Sequence, residues 1–192
     1  MIRILLLIIK TIIVTFAYIN IAFANTQENL IKNLTLTKTL SFNFKQKIEG
    51  KEETGDCFIK YPLLMKCNYN NLKQKSIISN GKTVAIIKKK YKKIYYYPIK
   101  KTPLFTILDK EKILNIIKNN KPTRINSGIF EFEFADKKLN KLIIFFDQKT
   151  LNLKGWKTKD IYSNEVIFLI NNLKTNEEFT EDLFKIPYEK DL

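Results

Sequence analysis

The chain has 192 residues, 45% hydrophobic and 28% charged, with 34 basic against 19 acidic side chains and a formal net charge of +15. It contains no histidine and two cysteines. That excludes Ser-His-Asp and Cys-His nucleophile activation, histidine general bases, His-bearing metal sites and four-thiolate sites. No catalytic residue, metal site or cofactor is therefore expected.

Arg3 supplies a positive start, and an apolar stretch runs from Ile4 to Phe23, broken by Lys10, Thr11, Thr15 and Asn20. It closes on Ala22-Phe23-Ala24, the small-x-small pattern that signal peptidase accepts. The pattern predicts a secretory signal over 1–24, cleaved after Ala24, and one soluble domain over 25–192. An uncleaved anchor is the competing reading, because the run is nearly long enough to span a bilayer. Lys10 in mid-run would be costly there. Asn25, not cysteine, follows the cut, so no lipid anchor is expected on the mature N-terminus. Beyond the signal Arg124 is the only arginine, and the basic surface is almost entirely lysine. Such a surface can meet anionic lipid headgroups or nucleic acid. Solvated lysines in a biased composition are the plainer reading, since arginine is the better reader of phosphates, and no nucleic-acid partner is expected.

In chain order, Asn25 and Glu28 fit a capping arrangement for a helix whose stripe is Leu30, Ile31 and Leu34. At Leu40 the period changes to two: Leu40, Phe42, Phe44 and Ile48 alternate with polar residues, predicting a half-buried strand with the first three on the concave side. Gln46 interrupts that apolar face. Gly50 to Gly55 reads as a polar turn. A hairpin follows around Pro62, and another at Asn80-Gly81, the strongest short turn signal in the chain. Two helices, Pro103–Asp109 and Glu111–Asn119, interrupt the strands, which resume at Ile129–Ala135, Lys141–Asp147, Leu151–Thr158 and Glu165–Asn172. A helical turn at Glu181–Phe184 closes the chain. About nine strands with short connections predict an α+β fold, a large antiparallel sheet with its helices gathered on one side.

Leu142–Phe146 and Val166–Ile170 are continuously apolar, and Phe130, Phe132 and Phe134 form a ladder against Glu131 and Glu133. For any single one of these residues plain core packing is the better reading. Together, a curved sheet under two or three short helices is hard to fill, and the volume left would be an apolar cavity suited to a lipid.

The two cysteines add a local expectation. Cys57 and Cys67 flank the Pro62 hairpin symmetrically. An odd-residue turn sets them directly opposite, within reach of a disulfide, and an oxidising compartment favours the bond. An even-residue turn puts them out of register, as two buried apolar residues that never meet.

The order of motifs resembles the LolA family of periplasmic lipoprotein carriers, from about Leu30 to Pro187. It is carried by Phe44-Lys45-Gln46, by Gly55-Asp56-Cys57-Phe58-Ile59-Lys60-Tyr61-Pro62 followed by Tyr69, and by Ile78-Ser79-Asn80-Gly81-Lys82-Thr83. Thr102-Pro103-Leu104, Ile107-Leu108-Asp109, Ile143–Leu151, Gly155-Trp156-Lys157-Thr158-Lys159-Asp160 and Phe184-Lys185-Ile186-Pro187 complete it. The resemblance implies an unclosed β-barrel with lid helices over an apolar cavity, acting as a monomer without catalysis. Candidate lining residues are Leu40, Phe42, Phe44, Met65, Tyr69, Phe130, Phe132 and Trp156. It also implies acylated lipoproteins as cargo, an inner-membrane lipoprotein-releasing transporter that hands them over, and an outer-membrane receptor that takes them. The receptor is itself a lipoprotein, so the absent cysteine at residue 25 favours the carrier. One departure stands out. The family usually has an arginine before the proline after the second strand, holding the lid, and here that place is Tyr61, which offers one donor against five. A lipid- or lipoprotein-sensing domain of the same fold, without transport, is the alternative function.

Overall fold

The computed structural model describes residues 26–126, 128–135, 141–160 and 163–192. The signal, its cut and Asn25 lie outside them. Helix α1 (26–36) buries Leu30 and Leu34 and leads into β1 (Thr39–Ile48). A first meander continues through β2 (Lys51–Lys60), β3 (Leu64–Tyr69), β4 (Lys75–Asn80), β5 (Thr83–Lys88) and β6 (Lys93–Pro98). A 3-10 turn (Ile99–Lys101) then carries the chain into α2 (Leu104–Leu108) and α3 (Lys110–Asn119). The second meander is β7 (Arg124–Asn126), β8 (Ile129–Ala135), β9 (Lys141–Asp147), β10 (Leu153–Lys159) and β11 (Glu165–Thr175).

All pairings are antiparallel, in the order β6-β5-β4-β3-β2-β1-β11-β10-β9-β8-β7. The β1–β11 pair joins the two meanders, and among the described residues β6 and β7 remain free edges. The sheet is therefore not closed, and the architecture is the expected α+β one. The segment linking β6 to β7 is the one that carries α2 and α3, so these helices run from one free edge of the sheet to the other.

Period two sets the faces. Leu40, Phe42 and Phe44 are buried in the concave interior while Asn43 and Lys45 are exposed, as expected. On the convex side Ile78, Ala85, Ile87 and Ile94 form a smaller cluster covered by Ile186 and Leu192 of the C-terminal segment. Phe58, Phe179 and Phe184 extend that cover with edge-to-face ring contacts.

The sheet has eleven strands, more than the nine or so expected. The three-residue edge strand β7 is too short to show a period. The Gly50–Gly55 turn is corrected too. Only Glu49 and Gly50 turn, at φ 47° and 76°, the positive values of a two-residue hairpin. Lys51–Thr54 are polar because they belong to strand outside the core, where Glu52 reaches Lys45 at 2.9 Å. Gly55 serves close packing: a Cβ there would lie 1.9 Å from the Asn68 carbonyl oxygen and 2.8 Å from the Phe44 ring.

The Tyr61–Leu63 turn has three residues, pairing Lys60 with Leu64 and Cys57 with Cys67. The odd count sets the cysteines opposite each other, 4.0 Å apart at Cα, and they form a disulfide. A link across a separation of 10 residues removes loop entropy from the unfolded chain. In the chain-entropy model that contributes about 2–3 kcal/mol. The Cys57→Ala/Cys67→Ala variant is expected to lose that amount in urea unfolding, with its secondary structure retained. A loss near zero would mean that the bond constrains nothing the sheet does not already hold.

Candidate apolar ligand site beneath the lid helices

All eight candidate lining residues fall in one contiguous cluster on the concave face, none more than 7% exposed. The lid supplies the opposite wall. Helix α3 starts at Asp109, whose carboxylate accepts the Lys112 N–H at 3.3 Å. Its stripe of Ile113, Leu114, Ile116 and Ile117 packs inward beside Ile107 and Leu108 of α2. A side chain bordering an open void would keep accessible surface, and these keep almost none. Among the described residues, sheet and helices pack directly against each other at these positions.

The centre of this interior is aromatic. The Trp156 and Phe168 rings stack with centroids 4.2 Å apart and planes within 6°. Phe168 also stacks on Phe44 at 4.7 Å and meets Phe42 edge-on at 6.2 Å. Reading the sequence missed Phe168, because the Val166–Ile170 run is apolar on both faces. Its flanks carried the signal: Glu165 and Asn171 share a parity with Ile167 and Leu169, which places Phe168 and Ile170 on the other face. Leu169 is 39% exposed, while Phe168 and Ile170 are buried.

One end of the interior is polar. Gln46, which interrupts the apolar face of β1, points inward and accepts from the Tyr69 hydroxyl at 2.7 Å. Burial, and behind it the charge of Glu53, pushes the Tyr69 phenol up from its ordinary range. Lys75 sits 3.7 Å from the Tyr69 ring centroid and pairs with Glu53. Burial lowers the Lys75 ammonium, and the Glu53 bond partly restores it. The Gln46 side-chain oxygen therefore has its partner within the domain.

The lid is tied at its base and along its length. The Leu63 N–H in the Tyr61–Leu63 turn donates to the Leu108 carbonyl at 2.9 Å. At the other end of the lid pair the Gln27 amide donates to the Ile117 carbonyl, joining the start of α1 to the end of α3. The start of α3 is joined to the end of α1 by Lys110, whose Nζ donates to the Thr35 and Thr37 carbonyls, both at 3.1 Å. These are carbonyls that a helix leaves unpaired at its C-terminus, where a cation also complements the dipole.

The candidate gate residue Tyr61 sits below that junction, its ring 5.9 Å from Lys110 Nζ. Its hydroxyl is enclosed and has no hydrogen-bond partner among the described residues, and burial pushes the phenol up. The phenol thus makes none of the bonds implied for an arginine at this place, and it is Lys110 of the lid that bonds to the end of α1. An unsatisfied buried hydroxyl is a cost. Tyr61→Phe is accordingly expected to stabilise the protein by about 1 kcal/mol, raising the melting temperature by about 2–4 °C. A fall in melting temperature would show that the hydroxyl is bonded in solution.

The sequence profile of the family described as outer membrane lipoprotein carrier protein LolA matches residues 35–187. The chain belongs to the LolA family. No curated protein matches it by sequence. Solved structures similar to it include an uncharacterized conserved protein from Thermus thermophilus, 9% identical with a TM-score of 0.50, over 85% of this chain and 94% of that one. A LolA superfamily protein from Nitrosomonas europaea is 6% identical with a TM-score of 0.46, over 85% and 97%. The lipoprotein LppX of Mycobacterium tuberculosis is 14% identical with a TM-score of 0.45, over 81% and 96%. At 9% identity the likeness to the Thermus thermophilus protein is one of fold alone. Among the described residues, no helix of this LolA-family chain is long and apolar enough to cross a membrane.

Proposed function

We propose that this LolA-family protein is a periplasmic carrier that takes the acyl chains of lipoproteins into its concave interior and shuttles them from the inner to the outer membrane. The observation that carries this reading is the single apolar interior, roofed by helices that are held by a few polar ties. Each methylene moved from water into such an interior contributes about 0.8 kcal/mol. Affinity then grows with chain length, and the ties and aromatic stack that must be displaced set it back. Residues 1–24 act as the export signal, cleaved after Ala24. An inner-membrane releasing transporter loads the carrier and an outer-membrane receptor unloads it, and the carrier works as a monomer.

Trp156 is the only tryptophan in the chain and lies in the middle of the interior, so its fluorescence reports on that space. Titration with a synthetic triacyl-cysteine lipopeptide is expected to change its emission saturably, with the deacylated peptide silent. Lack of response to either, together with no acylated peptide co-purifying in mass spectra, would overturn the reading. Binding without transfer between donor and acceptor vesicles would instead favour the sensing role.

A further inference from the structure

The exposed edge of the first meander has a composition that the carrier reading does not use. From Lys88 to Lys101 the chain reads Lys-Lys-Lys-Tyr-Lys-Lys-Ile-Tyr-Tyr-Tyr-Pro-Ile-Lys-Lys, without an acidic residue. Ile94 and Ile99 are buried and pin the segment to the domain. Four tyrosines stay outside, at 52% for Tyr91, 44% for Tyr95, 55% for Tyr96 and 39% for Tyr97. Strand pairing puts Tyr95 and Tyr97 on the face of Ile86 and Val84, and Tyr96 on the opposite face with Ala85. The rings therefore project from both sides of the free edge. The lysines stand at its two ends, Lys88–Lys90 with Lys92-Lys93 at one and Lys100-Lys101 at the other, separated by a strand about 20 Å long. Among the described residues none of these lysines takes part in an ion pair. The Glu189 carboxylate bonds the strand, accepting the Ile94 N–H at 3.0 Å.

We infer that this edge docks on the surface of an anionic phospholipid bilayer. Lysine ammonium groups are attracted by anionic headgroups while their stems lie along apolar surface. Tyrosine, with an apolar ring and a polar tip, belongs at the boundary between headgroup and acyl chain. Each lysine near such a surface contributes roughly fivefold in partition, so the cluster holds the protein reversibly at moderate salt. Docking sets the 3-10 turn at Ile99–Lys101, where the lid segment begins, against the membrane. The inference rests on the surface alone and stands whether or not the interior carries lipoprotein.

The test is sedimentation of chain 25–192, which holds every described element, with phosphatidylcholine vesicles that contain or lack phosphatidylglycerol. Binding is expected only to the anionic vesicles and is expected to vanish near about 0.5 M salt, where charges are screened. Replacing Lys89, Lys90, Lys92 and Lys93 by glutamine is expected to weaken it at least tenfold. Tyr95→Ser/Tyr96→Ser is expected to weaken it several-fold at low salt. The same charge removed at exposed Lys32, Lys47, Lys121 and Lys149 is the control and is expected to change binding less than twofold. Equal losses in both lysine sets, indifference to anionic vesicles, or binding to oligonucleotides with vesicles ignored would each overturn the inference. Circular dichroism of every variant separates loss of docking from loss of fold.

Discussion

Gly155→Ala is expected to destabilise the protein by about 4 kcal/mol, lowering the melting temperature by about 10 °C or more. The residue lies in β10 at φ +146°, where side chains are strained. A Cβ there would stand 2.1 Å from the Phe168 carbonyl oxygen, and 3.1 Å from the Leu169 Cα on the paired strand. That obstacle is backbone, so β10 would have to move away from β11 as a whole. The move would also pull Trp156 from its stack on Phe168. Register against β9 shifts between Leu153 and Gly155, the mark of a bulge, which bends β10 at this point. Gly50→Ala is the control. Gly50 too has positive φ, but nothing lies within 4 Å of its would-be Cβ, so about 1 kcal/mol is expected. Equal small losses from both, measured by thermal unfolding, would mean that the β10–β11 seam is looser than its geometry implies.

Phe168→Ala is expected to cost about 3–5 kcal/mol, the range for a large aromatic removed from a packed core. The same deletion opens space beside Trp156, Phe44 and Phe42. On the carrier reading, an acyl chain refills that space. The variant should therefore regain more melting temperature on adding triacyl lipopeptide than the parent gains. A variant that loses stability without a larger gain from the lipopeptide would place the bound chains away from the aromatic stack.

How much the sequence disclosed depended on whether one face of a strand was wet. In β1 and β8 polar residues alternate with Leu40, Phe42 and Phe44 or with Phe130 and Phe132, so period two revealed the inner face directly. In β9 and β11 both faces are apolar, and Phe168 at the heart of the interior went unseen. Hairpins were legible where backbone chemistry demands particular residues, as at Asn80-Gly81, where the Asn80 amide oxygen accepts the Lys82 and Thr83 N–H groups at 3.1 and 2.9 Å. The same habit misread Gly55, which is present for lack of volume and not for freedom to turn. Lys110 had no signal of its own among so many lysines, since its role comes from where α1 happens to end. The replacement at Tyr61 was visible, but its buried, unpaired hydroxyl was a fact of packing.

The central place of the β1–β11 pair has a consequence for the order of assembly. Eight matched positions join Leu40–Ile48 to Val166–Thr175, across nearly the whole chain. As synthesis proceeds, β1 can pair with β2 at once, but its other edge stays open until the final strand emerges. Closure of so long a loop delays folding, and an open apolar strand edge invites pairing with the wrong chain. Lys45 and Lys47 stand on that edge, exposed and alternating with Phe44 and Gln46. Lys45 is already paired with Glu52 of β2, so it is the charge of Lys47 that opposes the approach of a second, identical strand before the proper neighbour arrives.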